Sequence, residues 1–563
     1  MLYVHRSLAL CVFFGIVNSA RILGVFYSPG FSHFIAGSTL MSVLAERGHN
    51  VTVVSPFSRE ASSENYEEIY LDGLFNKSWS RSASLFKKRQ NPFLLALIAN
   101  KLSAPFLTKF MSHPKFQELI NGNRTFDLVI VEQFACEALF YLGTHFKAPL
   151  IGFSTIDASQ WTNRYVGNPT FPAYIPDILL PFDKMTYWQR MQNTLIYLLQ
   201  EVLFHYQRIP AQQQILEDNF PAAPRLEDFM YNISLTFLNA DLSFHNSIPK
   251  VPSMIDIGGF HINPPKALPQ DLQEVLDNST NGVIYFSMGT SVRSKDMPEE
   301  QLNAFMEVFS KLKETVLWKW ENESLPRNLK NVITRKWFPQ QDILRHKNVK
   351  MFITHGGLFS MMESLNSGIP MLTIPIKADQ FLNSARAERG GYAKSIDFLE
   401  ISESTLTLAI KELLEIPRYK QNAEWRSYIM NLKPRSPRET LIFWTEYVIK
   451  FRGAPHLRVS SLDIPWYQYM LLDVLPLIVL PPCIFLIVVI LLSFYLVKLI
   501  VRFCCGECDS GGNVVERIRN RWKILLRSNN DAEKPAEEAL QLLKNNRDNH
   551  CEQQKSVTLE TDH

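Results

Sequence analysis

A short stretch in the second half of the chain has the residue types needed to bind phosphate. Residues 351–354 are an apolar run that predicts a buried parallel strand, and the sequence His-Gly-Gly at 355–357 interrupts it. Residues 360–366 then have a helical pattern. Glycines let the backbone approach a ligand, and free N–H groups at a helix N-terminus attract anions. His355 and Ser360 can each add a hydrogen bond, so this turn predicts a phosphate site.

A second loop carries a weaker signal of the same kind. Residues 282–286 read as an apolar strand, and Ser287, Gly289 and Thr290 lie in the loop that follows it. Small hydroxyl residues and a glycine at the carboxyl end of a strand suit a phosphate contact. This loop therefore supports the prediction of a phosphate site, although many strand ends have similar residues.

The wider segment from 337 to 380 reads WFPQQDILRHKNVKMFITHGGLFSMMESLNSGIPMLTIPIKADQ. It resembles the signature of the UDP-glycosyltransferases, which transfer a sugar from a UDP-sugar to a small lipophilic acceptor. The resemblance covers most of the chain, including FRGAPHLR and DIPWYQY within residues 436–469, and is strongest to insect members. It implies an α/β fold of the GT-B type, in which two Rossmann-like, doubly wound domains face a cleft.

The resemblance implies roles for the residues that hold the nucleoside. Trp337 would stack on uracil, and the backbone of Phe338 would meet the uracil edge. Gln340 and Glu363 match the positions that bond the ribose hydroxyls. A carboxylate suits a vicinal diol because it accepts two hydrogen bonds.

The same comparison assigns the sugar end of the donor site. Asp379 and Gln380 match the pair that holds the hydroxyls of the transferred sugar. They follow the short predicted strand 371–374, which places them on a loop at its carboxyl end. Gly357 and Phe359 complete the predicted donor site.

The catalytic base is expected near the amino terminus of the mature chain. Residues 22–27 predict a strand, and a helix follows to Arg47, so His33 is predicted to lie in the first strand-to-helix loop. An acceptor hydroxyl needs a base that is neutral near pH 7, which suits histidine. The resemblance implies a histidine base at this place.

In the family an acidic residue, usually aspartate, orients that base. Two acids compete here, because Asp127 precedes the strand 128–131 and Glu132 ends it, about 16 Å away at about 3.3 Å per residue. Catalytic groups gather at the carboxyl ends of parallel strands, so we choose Glu132, although it departs from the usual aspartate. We expect Asp127 to cap the strand or face solvent.

These residues predict a direct displacement with inversion at the anomeric carbon. His33 would remove the acceptor proton, and Glu132 would hold the imidazole tautomer and offset its positive charge. UDP would leave as an anion, stabilised by the helix N-terminus, His355 and the loop at Ser287. We expect no metal or other cofactor, since no Asp-x-Asp motif lies near the sugar site.

Two apolar segments predict a membrane topology. Residues 1–20 read as a signal peptide, and residues 474–497 contain no charged residue and are long enough to span a bilayer. Lysines and arginines follow that span, which predicts a single-pass type I protein with a cytosolic tail and its catalytic domain in the lumen of the endoplasmic reticulum; delivery to the plasma membrane stays open. Five N-x-S/T sequons are predicted glycosylation sites on the lumenal side: Asn76, Asn123, Asn232, Asn278 and Asn322.

The chain of 563 residues is long enough for several domains. The predicted organisation is a signal peptide (1–20), an acceptor-binding domain (21–262), a linker (263–272), a UDP-sugar-binding domain (273–450), a closing segment (451–473), the membrane helix (474–497) and the tail (498–563). A net charge of only +3 gives no support for nucleic-acid binding, and the oligomeric state stays open.

The expected partners are a UDP-sugar, a lipophilic acceptor and a membrane. Vertebrate relatives often use glucuronate, with an arginine before paired glycines suspected of helping, but this chain has Lys250 before Gly258 and Gly259. We therefore favour UDP-glucose, with UDP-glucuronate as the alternative, because a sugar carboxylate would lose a bidentate partner. A non-catalytic relative that binds UDP-sugar or lipophile is a second hypothesis. A dinucleotide-dependent oxidoreductase is rejected because no G-x-G-x-x-G follows the first strand.

Overall fold

The structure, a computed structural model, describes residues 19–59, 64–75, 91–290, 292–505 and 519–523. Most of the predicted signal peptide, Asn76 and most of the predicted tail lie outside these residues. The chain divides into a body at residues 1–465 and a second unit at 466–563. The limits of the finer domains stay predictions.

The first sheet has seven parallel strands in the order β3-β2-β1-β4-β5-β6-β7. Its central strands are short apolar runs that are buried along nearly their whole length, as expected for a parallel sheet covered by helices on both faces. The strands are β1 (Arg21–Val25), β2 (Asn50–Ser55), β3 (Tyr66–Tyr70), β4 (Leu128–Glu132), β5 (Leu150–Ser154), β6 (Leu235–Leu238) and β7 (Met254–Asp256).

The second sheet has six parallel strands in the order β10-β9-β8-β11-β12-β13. They are β8 (Val283–Ser287), β9 (Thr315–Lys319), β10 (Val332–Arg335), β11 (Val349–Thr354), β12 (Met371–Thr373) and β13 (Ala393–Ser395). In both sheets the strand order reverses beside the first strand, which opens a crevice at the carboxyl edge. We call the part built on the first sheet the first half and the part built on the second sheet the second half.

Helices cover both sheets. Those of the first half are α1 (Phe31–Glu46), α2 (Pro92–Met111), α3 (Pro114–Asn121), α4 (Tyr141–His145), α5 (Gln160–Asn163), α6 (Tyr187–Leu203) and α7 (Ile209–Asn219). Those that follow are α8 (Gln270–Asn278), α9 (Glu299–Ser310), α10 (Gln340–Leu344), α11 (Leu358–Asn366), α12 (Gln380–Arg389), α13 (Glu403–Glu415), α14 (Pro417–Asn431), α15 (Pro437–Lys450), α16 (Trp466–Tyr469) and α17 (Leu475–Cys505).

The structure confirms the predicted fold class of two doubly wound parallel sheets. Sequence patterns did not find β3, β6, β7 or β13. The sequence of β3, YEEIY, is largely polar at an edge position, and β7 and β13 are only three residues long. Short edge strands carry too few side chains for periodicity to reveal them.

Helix α15 follows the second sheet in the sequence but packs on the first half. Its buried Leu441 and Val448 pack in the same cluster as Ile22, Phe26 and Leu40. A capping box at Ser436 and Glu439 begins the helix at this point. Helix α15, near the end of the body, therefore covers part of the first sheet.

Two helices among the described residues are apolar and long enough to cross a membrane. Helix α2 is one, but Ala96, Leu107 and Phe110 on it are buried within the body. The other runs from Leu475 to Phe503. Its mean hydropathy is 3.0, and its apolar residues are not buried by the described part of the chain. This second helix fits the predicted membrane span and continues past its predicted end at residue 497.

Docking of α15 on the first sheet predicts unequal effects of two leucine truncations. Leu441→Ala should lower the free energy of unfolding by about 2–5 kcal/mol, because it leaves a cavity in the core. Leu432→Ala, at a side chain that is 68% exposed, should change it by less than about 0.5 kcal/mol. Chemical unfolding followed by tryptophan fluorescence measures both, and similar small effects would contradict the packing.

Candidate active site

His33 and Glu132 meet at the carboxyl edge of the first sheet. Strands β1 and β4 are parallel neighbours, with Val25 opposite Val131, so the residues that follow both strands reach the same place. The Nδ1 atom of His33 is hydrogen-bonded to Oε1 of Glu132, whose side chain is 1% exposed. His33 lies in the first turn of α1, not in the loop before it as predicted, because the helix begins at Phe31, directly after Gly30.

This hydrogen bond determines which nitrogen of His33 can accept a proton. An ionised carboxylate only accepts hydrogen bonds, so Nδ1 must carry the proton and Nε2 keeps its lone pair. Thr155 Oγ1 is also 3.4 Å from Nδ1. Burial lowers the pKa of His33, but the charge and hydrogen bond of Glu132, together with the charge of Asp379, raise it above its usual 6.5.

Asp127 occupies the opposite end of β4, as expected. Its Oδ2 accepts a hydrogen bond of 2.8 Å from the backbone N–H of Arg21, and its side chain is half-exposed. It therefore fastens the beginning of β1 to the beginning of β4, far from His33.

Aromatic side chains that the sequence analysis did not select surround His33. The ring of Phe134 lies 5.0 Å from the imidazole, and Trp161 stacks on Phe134 at 5.6 Å with an interplanar angle of 13°. At the beginning of the helix that carries His33, Phe31 contacts both Phe34 and Phe57. Phe134 and Trp161 thus form an apolar surface beside the imidazole, and the position of Phe134 just after β4 could have indicated it.

In the second half, His355 is held between two glycines. A Cβ atom on Gly289 would lie 2.4 Å from the His355 ring, and one on Gly357 would lie 2.5 Å from it. Gly289 also has a φ of +79°, which side-chain-bearing residues rarely adopt. Burial, together with the charges of Lys377 and Lys319, lowers the pKa of His355 to about 3, so the ring is neutral at physiological pH.

The loop after β8 lies against this histidine. The backbone N–H of Gly289 donates to Oγ of Ser287 at 3.2 Å, which tightens the turn, and Ser287 is buried. Thr290 is exposed and ends the described part of the loop. The structure therefore brings both predicted phosphate loops together.

The first turn of α11 is not capped by the side chain of its own N-cap residue. Gly357 is the N-cap residue and has no side chain to supply an acceptor. Near this turn, Gln340 Nε2 donates to Ser360 Oγ at 3.1 Å and to Glu363 Oε2 at 2.6 Å. Uncapped N–H groups beside neutral hydrogen-bonding side chains are suited to bind a phosphate.

Glu363 lies on the same helix, and 11% of its side chain is exposed. Burial raises its pKa, while hydrogen bonds from Gln341 and Gln340 and the charge of Arg345 oppose the rise. Phe359, one turn before it, packs its ring 4.2 Å from that of His261. The predicted ribose ligands Gln340 and Glu363 are thus adjacent.

The predicted uracil platform is accessible. Trp337 is 67% exposed, while Phe338 is buried against Tyr285. Lys319, which the sequence analysis missed, places Nζ 5.6 Å from the centroid of Trp337 and donates to the carbonyl of Gly289 at 2.5 Å. Lys319 ends β9, and this position at the carboxyl edge is the signal that could have identified it.

Asp379 and Gln380 are at the beginning of α12 rather than on a free loop. Oε1 of Gln380 accepts from the backbone N–H groups of Ile376 and Lys377, at 2.9 and 3.0 Å. Asn383 Nδ2 donates to Asp379 Oδ2 at 2.8 Å and to the carbonyl of Gly356 at 3.2 Å. These bonds connect the predicted sugar ligands to the phosphate turn.

The two halves meet where these groups converge. Burial raises the pKa of Asp379, and the charges of His33 and Lys377 lower it in part. Asp379 belongs to the second half and His33 to the first, so the charges of the predicted sugar ligand and the predicted base act on each other between the two halves. The charge of Lys377, which the sequence analysis also missed, acts on both.

Comparison with known proteins identifies the family. The model of a family described as UDP-glucoronosyl and UDP-glucosyl transferase matches residues 25–509. The chain belongs to this family. It is a UDP-glycosyltransferase by that membership, and the resemblance seen in its sequence is confirmed.

The chain is also similar to individual glycosyltransferases of this family. UDP-glycosyltransferase UGT5 of Dactylopius coccus is 37% identical over 506 residues, covering 89% of this chain and 95% of that protein. UDP-glucosyltransferase 2 of the same insect is 34% identical over 84% of this chain and 92% of its own length. Human UDP-glucuronosyltransferase 2B7 is 28% identical, covering 86% and 93%.

Solved structures support the fold. The calicheamicin glycosyltransferase CalG4 superposes with a TM-score of 0.54 at 16% identity, covering 77% of this chain and all of that one. The glycosyltransferase VinC in complex with DTDP gives a TM-score of 0.53 at 16% identity, with the same coverage. The body thus has the predicted GT-B fold.

Four of the five predicted glycosylation sites lie among the described residues. Asn123, Asn232, Asn278 and Asn322 are all exposed on the body. Their use as acceptors stays a prediction.

Removing the charge of Glu132 should change the pH dependence of catalysis. The predicted role of His33 as general base requires its neutral form, so activity should rise as pH increases through the pKa of His33. Glu132→Gln removes the charge that raises this pKa and leaves burial, which lowers it, so the acidic limb should move to lower pH. We expect kcat to fall by roughly a hundredfold or more, because the imidazolium loses its counter-charge.

The pH profile of kcat/KM measures the effect. Asp127→Asn is the matched control, since Asp127 sits at the other end of the same strand. An unchanged acidic limb in Glu132→Gln would contradict the role of the carboxylate.

Proposed function

We propose that the chain transfers glucose from UDP-glucose to a hydroxyl group of a small lipophilic acceptor, with inversion and with His33 as the general base. The observation that supports this most directly is the hydrogen bond between His33 Nδ1 and buried Glu132, beside Asp379 of the second half. A base with a fixed tautomer next to a sugar ligand is the arrangement that direct displacement requires.

The reaction proceeds in one displacement. The acceptor oxygen forms a bond to the anomeric carbon while Nε2 of His33 takes its proton. The bond from that carbon to the β-phosphate oxygen breaks, and UDP leaves with the electron pair. Glu132 offsets the positive charge that the imidazole gains.

Groups of the second half stabilise the negative charge of UDP as it leaves. The uncapped N–H groups of α11 carry partial positive charge, and neutral His355 supplies one N–H. Lys319 adds a cation next to Gly289. These groups need no metal ion to stabilise the diphosphate.

Glucose as the sugar is supported by the contacts of Lys250. Its Nζ is 2.8 Å from Oδ1 of Asp157 and 2.7 Å from Oδ1 of Asp256. A lysine that already forms ion pairs with two carboxylates is poorly available to pair with a third. Lys250 therefore does not replace the arginine suspected of holding glucuronate in relatives.

Glucuronate is the second candidate because of Lys377. Burial lowers the pKa of this lysine, and its charge acts on Asp379, His33 and His355 at the sugar end of the cleft. A cation at that place could pair with a sugar carboxylate.

The acceptor class is supported by Phe134, which lies beside the imidazole of His33, and by Trp161, which stacks on Phe134. Such a surface favours flat, apolar molecules with a hydroxyl group. We further propose that α17 holds the protein in the endoplasmic reticulum membrane with the body in the lumen, in keeping with the exposed sequons and the cations that follow the helix.

Release of UDP from microsomes that contain the full chain tests the proposal. UDP-glucose and UDP-glucuronate are supplied in turn with a panel of phenols and steroids, for the wild-type chain and for His33→Ala. We expect acceptor-dependent release with UDP-glucose, and a loss of roughly a hundredfold or more in His33→Ala.

Lys377→Met separates the two donors. Turnover of UDP-glucuronate that exceeds turnover of UDP-glucose, and that Lys377→Met selectively removes, would replace glucose by glucuronate. Binding of UDP without turnover of either donor on the whole panel would favour the hypothesis of a non-catalytic relative that binds UDP-sugar or lipophile.

A further inference from the structure

An ion-pair cluster around buried Asp183 joins the far end of α12, which carries the predicted sugar ligands at its beginning, to the first half. Asp183 lies in the loop before α6, and only 2% of its side chain is exposed. Its Oδ1 is 3.2 Å from Nε of Arg386, and its Oδ2 is 2.5 Å from Nε of Arg389. Both arginines are in the last two turns of α12. Asn246 completes the cluster, since it donates to Asp183 and accepts from Arg389, each at 2.5 Å.

The loop that carries Asp183 is fixed to the first half. Asn193 on α6 donates to the carbonyls of Pro172 and Ile175, at 2.7 and 2.8 Å, and accepts from the N–H of Asp177 at 2.8 Å. Gln200, also on α6, donates to Oδ2 of Asp177 at 2.8 Å. The segment that leads to Asp183 is therefore attached to α6 as far as Asp177.

Helix α12 is fixed at both ends to different halves of the protein. At its beginning, Asn383 connects Asp379 to Gly356 in the phosphate turn. At its end, Arg386 and Arg389 connect it to Asp183. A helix of ten residues spans only about 15 Å, so a shift at the Asp183 end reaches Asp379 as a movement of the whole rigid helix.

We propose that Asp183 is a positioning residue for sugar transfer: it holds α12 so that the sugar bound by Asp379 lies within reach of His33. The inference rests on the proposed roles of Asp379 and His33. The predicted UDP contacts, Trp337, His355 and Glu363, all belong to the second half and lie outside α12. Binding of UDP and transfer of the sugar should consequently respond differently when the cluster is broken.

Asp183→Asn in the full chain tests this separation. We expect kcat to fall by roughly tenfold to a hundredfold, because small displacements from the reactive geometry have effects of this size. The dissociation constant of UDP, measured by titration calorimetry, should stay within about twofold. Asp183→Glu, which keeps the charge, should recover part of the rate.

Hydrogen exchange provides a readout that needs no turnover. In Asp183→Asn, peptides that cover residues 376–389 should exchange faster, while those that cover 337–363 should not change. This result can be obtained even if the chain has a different base or sugar, so failure of the proposed function and failure of this inference are distinguishable. Arg389→Gln, at a half-exposed side chain, tests the same cluster should Asp183→Asn fail to fold.

Asp241→Asn is the matched control. Asp241 is also a buried acid of the first half paired with a cation of the second, Lys433, but that lysine lies outside α12. We expect no faster exchange in 376–389 from this variant. Equal effects of Asp183→Asn and Asp241→Asn, an unchanged kcat in Asp183→Asn, or a parallel loss of UDP affinity and kcat would each overturn the proposal.

Discussion

The pairing of buried Glu132 with His33 is the constraint on which the catalytic half depends. A carboxylate without access to water is unfavourable unless it is paired, and the second oxygen of Glu132 has no hydrogen-bond partner among the described residues. The pair forms because β1 and β4 are adjacent and in register, which places the end of one strand beside the helix that follows the other. The contact with Glu132 thus fixes the tautomer of His33 and, together with the charge of Asp379, raises its pKa.

The second half must stabilise negative charge, whereas the first half stabilises the positive charge of an imidazolium. It must receive an anion, and it does so with neutral or positive groups: His355 kept neutral by burial, the beginning of α11, and Lys319. The close approach of Gly289 and Gly357 to the His355 ring leaves no room for a side chain at either position. Both halves use the carboxyl edges of parallel strands, so closing one edge on the other assembles the site.

Much of this could be predicted from the sequence where chemistry and local pattern coincide. The strand, glycine turn and helix around His355 are contiguous, and Glu132 could be chosen over Asp127 because strand polarity decides which end faces a cleft. What was missed depends on distant parts of the chain. Lys319 and Lys377 can be assigned to the site only once Trp337 and Asp379 have been placed. The packing of α15 on the first sheet brings together residues about four hundred positions apart. The placement of His33 in the helix rather than the loop is a matter of two residues, which propensity does not resolve.

The configuration of the product is the most direct test of the central claim that one base activates the acceptor for one displacement. The donor is α-linked, and the coupling constant of the anomeric proton in the purified product reports its configuration. A β-linked glucoside is the result expected from His33, Glu132 and the donor loops as placed in the structure. An α-linked product would require a second displacement or a different attacking group, and would contradict the role given to His33.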